Sequence, residues 1–123
     1  MKLPRLDPAI RALYESALPK DARVQTRAMF GGLGSFVNGN MFCGALGTRI
    51  FLRLPAEDLE ALLQEAGGGL FEPVKGRAMR DYANIPDAWM RNPAKVRDGM
   101  NRALAWVASL PPKSAKKGRA SNR

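Results

Sequence analysis

A chain of 123 residues, 46% hydrophobic and 25% charged, has the length and composition of one ordinary globular domain, which excludes a disordered protein and a pair of independent cores. With no histidine and a single cysteine, Cys43, it cannot build a Ser-His-Asp triad, a Cys-His pair, a His-ligated or all-thiolate zinc site, or an internal disulfide. Net charge is +9, from 20 basic and 11 acidic residues, yet Lys113, Lys116, Lys117, Arg119 and Arg123 sit in an acid-free tail, which leaves residues 1–110 with 15 basic against 11 acidic residues, or +4.

The start, MKLPRLDPAIRALYES, interrupts its leucines with Pro4, Arg5, Asp7 and Arg11, and no apolar run approaches the roughly 20 residues that span a bilayer. Neither a signal peptide nor a membrane anchor is expected, and the cytoplasm is the expected location. Asp7 can cap a first helix with Pro8 in its first position, and Ile10, Leu13, Tyr14, Ala17 and Leu18 recur at helical spacing before Pro19 stops it. From Val24 the period changes to two, with Val24, Thr26 and Ala28 alternating against Gln25, Arg27 and Met29, the pattern of a half-buried strand.

That strand runs into RAMFGGLG, Arg27 to Gly34, where Gly31, Gly32 and Gly34 crowd one turn. Glycines there can take positive φ or admit a neighbouring backbone, so the segment reads either as a structural corner or as a phosphate cradle. A P-loop needs GxxxxGK[ST] and a dinucleotide fingerprint needs GxGxxG opening a helix; here Gly34 leads into another strand, which favours the corner. Asn38-Gly39 then joins strands at Gly34 to Val37 and Met41 to Leu46, and Gly47-Thr48 turns into Arg49 to Leu54. In this last strand Ile50, Leu52 and Leu54 share one face, and Arg49, Phe51 and Arg53 share the other, which is expected to be wet.

Pro55 opens a second helix with Glu57 and Asp58 at its positive end and Leu59, Leu62, Leu63 and Ala66 as the apolar stripe, closed by Gly67 to Gly69. Two shorter strands follow at Leu70 to Val74 and Ala78 to Ala83, turning at Lys75-Gly76, with Pro73 marking the first as an edge or a bend. After a helical turn carrying Trp89, Asn92 caps a last helix whose stripe is Val96, Met100, Ala103, Leu104, Val107 and Leu110. The expected fold class is α+β: a two-layer antiparallel sheet with helices on one face, in the order α-β(3-4)-α-β(2)-α, over residues 1–110, with 111–123 a disordered basic tail.

Three blocks resemble the N-terminal domain of TfoX-like (Sxy) competence regulators: RAMFGGLGSFVNGNMFCG at Arg27 to Gly44, RIFLRLP at Arg49 to Pro55, and FEPVKGRAMRDYANIPDAW at Phe71 to Trp89. They occur in the family's order, and the resemblance extends over residues 20–105. The resemblance implies a compact two-layer α+β domain and a role in controlling transcription of DNA-uptake genes as a coregulator. It carries over no catalytic residues. The two-domain members continue into a second helical domain, whereas this sequence has only its basic tail after Leu110.

The residues therefore point to a non-enzymatic regulatory or interaction domain with no catalytic, metal or cofactor-binding residues, whose expected partner is a protein of the transcription machinery or a regulator. The candidate surface is Arg27, Arg49, Phe51, Arg53, Arg77 and Arg80, with Phe51 the one aromatic on the arginine face. Low-specificity nucleic-acid binding is the alternative. Five tail phosphate contacts would give a log-log salt slope of about −4.5, or about a 500-fold loss between 50 and 200 mM salt. A carboxylate- or lysine-dependent enzyme is the weakest reading, since no paired acids converge at a recognisable spacing. Tyr82 and Trp89, bracketing Asn84-Ile85-Pro86, could line a pocket with Arg80 or could anchor the last helix to the sheet. Cys43 reads as a small buried hydrophobe.

Overall fold

The computed structural model describes residues 5–29, 31–65, 67–74 and 77–112. Helix α1 spans Pro8–Ala17, started by Asp7, whose carboxylate accepts from the Ala9 and Ile10 amides. Strands β1 (Gln25–Met29), β2 (Gly32–Val37), β3 (Asn40–Leu46) and β4 (Arg49–Arg53) form a meander, followed by α2 (Ala56–Leu63), β5 (Gly69–Val74), β6 (Arg77–Asn84), a 3₁₀ turn at Asp87–Arg91 and α3 (Pro93–Ala108). All six strands make one antiparallel sheet in the order β1-β2-β3-β4-β6-β5. The chain is thus α+β, an antiparallel sheet with its helices gathered on one face.

Turn chemistry sets the meander. Gly31 has φ 81 at the β1–β2 reversal, and Asn38 (φ 53) with Gly39 (φ 81) makes the paired left-handed turn between β2 and β3. Gly32 serves a different purpose: a Cβ on it would run into the carbonyl of Ala45 and come within 3.2 Å of Leu46 Cα, so β3 backbone lies where a side chain would stand. The glycine segment is a structural corner.

Helix α3 lies across β2, β3 and β4, α1 packs beside it on β3 and β4, and α2 covers β5 and β6. Between them sits the main core, in which Tyr14, Phe42, Ile50, Leu52, Ile85, Val96, Met100 and Val107 are fully buried. The alternation in β4 explains the division: Ile50, Leu52 and Leu54 enter this core while Phe51 turns away from it. Pro73 lies in an edge strand, as its missing amide hydrogen requires, and β5 shows register shifts on both sides of Phe71.

Two expectations need correction. The first strand is not half-buried: Gln25, Thr26, Arg27 and Ala28 are all exposed, because β1 is the outer strand and the helices do not extend over it. The helix-free face is not simply wet either. A second cluster, Met41, Leu46, Phe51, Phe71 and Tyr82, is buried there, apart from the helix-covered core formed by the described residues.

Candidate interaction surface

Flat aromatic side chains close the helix-free face. Phe51 on β4 and Phe71 on β5 stack with centroids 3.6 Å apart and planes 13° from parallel, although β6 runs between their strands. Strands two places apart lie roughly 10 Å from each other, so both rings lean over β6 to meet. The register of β5 against β6 shifts on both sides of Phe71. Tyr82 on β6 packs edge-on to Phe51 at 5.9 Å, and its hydroxyl donates to the Met41 carbonyl on β3 at 2.9 Å. Burial pushes the Tyr82 phenol up, partly opposed by the Arg53 charge.

Gly44 makes this possible. It is the cross-strand partner of Phe51, and a Cβ there would collide with the Phe51 ring and stand 2.7 Å from the Leu33 carbonyl oxygen. Gly34 similarly leaves space for Met29 Sδ and Met41 Sδ, which would lie 2.6 and 3.0 Å from its Cβ.

Around this apolar centre stand two arginines laid on rings. The Arg27 guanidinium carbon is 4.4 Å from the Phe36 centroid, and that of Arg53 is 5.8 Å from the Tyr82 centroid. Arg53 also reaches Asp81 at 3.5 Å, and its Nε is buried with no partner. Among the described residues Arg27 forms no ion pair. Met29, Phe36 and Met79 lie half-buried at the margin. The surface therefore offers soft thioethers and an aromatic ring flanked by two oriented, always-charged guanidinium groups.

The other sequence-derived candidates divide. Arg49 lines a pocket with Leu46 and Phe71 of the cluster but is already engaged: its Nη1 is 2.8 Å from Asp87 Oδ1 and 3.4 Å from the Gly67 carbonyl, tying the start of β4 to the 3₁₀ turn and the α2–β5 loop. Phe51 is 3% exposed under Phe71, so it offers no free face for a base to stack upon. Arg80 is exposed on β6. The Arg77 side chain and the tail residues Lys113, Lys116, Lys117, Arg119 and Arg123 lie outside the described residues.

No shared Tyr82/Trp89 pocket exists, because the two rings sit on opposite faces of the sheet. Tyr82 belongs to the aromatic cluster, while Trp89 lies against Gly99 of α3 and lines a groove of about 480 Å³ with Leu54, Leu62 and Gly99. Trp89 is thus the helix anchor and Tyr82 is not.

Sequence reading missed Phe71, Met41 and Gly44 as parts of the face. Phe71 stands beside Glu72-Pro73, where alternation is broken, and the pairing of Gly44 with Phe51 is a cross-strand relation that no local pattern displays. A glycine inside an apolar strand was the one available signal of close approach.

Elsewhere, a polar chain crosses the main core. Tyr14 OH and Ser35 Oγ share a hydrogen bond at 2.6 Å, Ser35 Oγ and Thr26 Oγ1 share one at 2.8 Å, and Tyr14 OH lies 3.4 Å from Cys43 Sγ. Burial pushes the Cys43 thiol up to about 12, and burial together with Cys43 raises the Tyr14 phenol strongly. Such a thiol is a structural group rather than a nucleophile at neutral pH. Among the described residues no three His, Cys, Asp or Glu side chains cluster in a way that could hold a metal ion, and no helix is long and apolar enough to cross a membrane.

Fold and surface together define an α+β domain with one helix-covered face and one open, arginine-rimmed aromatic face. The chain belongs to the TfoX N-terminal domain family, whose model matches residues 17–106, from the end of α1 to the last turns of α3. Comparisons with curated proteins and with solved structures found no match.

Proposed function

We propose that this chain is a non-catalytic regulatory domain that works in the cytoplasm by docking a protein of the transcription apparatus, and that its output is expression of DNA-uptake genes. Family membership supports the regulatory context. The observation that carries the docking reading is the helix-free face, where Arg27 over Phe36 and Arg53 over Tyr82 hold cationic groups beside exposed parts of an apolar cluster. Arginines laid on rings beside methionines match the composition of protein interfaces, in which Arg, aromatics and Met are enriched.

Protein docking is favoured over nucleic-acid binding by the burial of Phe51 and Tyr82, at 3% and 8% exposure, which withholds the stacking platform used by single-strand binders. The test is a reporter of DNA-uptake gene transcription in the native host, comparing the wild-type chain with an Arg27→Glu/Arg53→Glu variant whose fold is checked by circular dichroism. Loss of the reporter response with the fold intact is expected. An unchanged response removes the face from the mechanism, and retained partner binding that weakens about 500-fold between 50 and 200 mM salt assigns the work to nucleic-acid contacts instead.

A further inference from the structure

The two edges of the sheet are built differently. At one end β5 is blunted: Pro73 lacks an amide hydrogen, and the register shifts on both sides of Phe71 break the regular ladder. At the other end β1 pairs with β2 in unbroken register from Gln25↔Phe36 to Met29↔Gly32. It contains no proline and no lysine, and the helices among the described residues pack chiefly on the other five strands. Of the usual devices that protect an edge, β1 has its short length and one charged side chain, Arg27, but no proline, lysine or bulge.

The tight reversal at Gly31 makes Met29 and Gly32 the hydrogen-bonded pair that closes the hairpin. Antiparallel alternation then directs the amide and carbonyl groups of Arg27 and Gln25 toward β2, and those of Thr26 and Ala28 outward. Among the described residues no backbone group bonds to those outward positions. Both residues are exposed. The edge therefore presents two donors and two acceptors at strand spacing.

We infer that β1 is a strand-addition site that takes an extended, acidic segment of a partner protein as a seventh strand. The inference rests on the reading of the domain as a docking module. Charge selects the occupant: among the described residues Arg27 sits at the middle of β1 without an ion-pair partner, and Lys20 precedes the strand, whereas Arg23 is already held by Asp21 at 2.8 Å. A second copy is disfavoured, because two-fold pairing about the strand centre sets Arg27 opposite its own symmetry mate and brings together two chains of net charge +9. An acidic strand instead places carboxylates across from Arg27 while its backbone completes the ladder.

The probe is a capped peptide of β1's length alternating Glu with Val, titrated into the full chain and followed by amide NMR and hydrogen exchange. Expected are shifts and slowed exchange centred on Thr26 and Ala28, about tenfold weaker binding for Arg27→Glu, and loss of binding for Ala28→Pro, which removes an outward donor. Circular dichroism checks that Ala28→Pro folds, and Arg27→Glu tests the site without touching the backbone. Arg53→Glu, on the sheet face, leaves peptide binding unchanged while it lowers the reporter response if the face reading holds, so the two readings fail separately. No response at β1 amides up to about 1 mM peptide, equal binding of a Lys/Val peptide, or concentration-dependent self-association through the same amides overturns the inference.

Discussion

Replacing Phe51 with alanine decides whether the helix-free face is a core or a wet surface. If Phe51 lay on an exposed arginine face, its loss would change stability by no more than about 0.5 kcal/mol, the usual range for surface substitutions. The structure places it at 3% exposure, stacked on Phe71 at 3.6 Å, edge-on to Tyr82 at 5.9 Å and over the bare backbone of Gly44. Truncating a buried phenylalanine costs about 3–5 kcal/mol, and a site that cannot collapse falls at the upper end. Gly44 has no side chain to move into the void, which argues for that end. At about 4 °C per kcal/mol for a domain of this size, Tm should fall by about 12–20 °C. Urea unfolding followed by circular dichroism measures the change, with an unchanged slope showing that the native state stays compact. A loss below about 1 kcal/mol would refute the existence of a second core.

Three further outcomes follow from other contacts. Gly32→Ala should destabilise by about 1–3 kcal/mol or more, since its Cβ meets the Ala45 backbone, whereas Gly34→Ala meets the mobile thioethers of Met29 and Met41 and should cost clearly less; matched urea midpoints would contradict this. Cys43, raised from its ordinary value of 9.0 to about 12, binds its proton more tightly folded than unfolded. Its contribution to stability is therefore intact below 9.0 and lost as pH rises toward about 12, and Cys43→Ala should flatten that alkaline decline in urea midpoints while the native thiol resists alkylation at neutral pH. Arg49→Ala should change stability by less than about 1 kcal/mol, because the Arg49–Asp87 pair is 41% and 63% exposed; a larger loss in thermal melts would show that the link to the 3₁₀ turn matters more than screening allows.

Much of the fold was legible locally. Asp7 and Asn92 cap the helices they were expected to cap, Asn38-Gly39 turns the hairpin it was expected to turn, and Ile50, Leu52 and Leu54 face the core assigned by their alternation. Each of these is fixed by residues within a few positions of one another. The family was legible as well, because its three blocks keep their order.

The candidate site was legible only in part. Arg27 and Arg53 share the helix-free face as strand alternation requires, yet Arg49, which stands beside Leu46 and Phe71, is taken up by Asp87, a contact 38 residues distant. Sequence by itself determined the elements, the turns and which side of each strand is apolar, since these follow from backbone chemistry and periods of two and 3.6. Tertiary structure alone decided that β1 is the bare edge, that Phe71 leans across β6 onto Phe51, and that the presumed wet face is a second core. Strand order and cross-strand contact depend on which distant segments pair, and a local period carries no record of that choice.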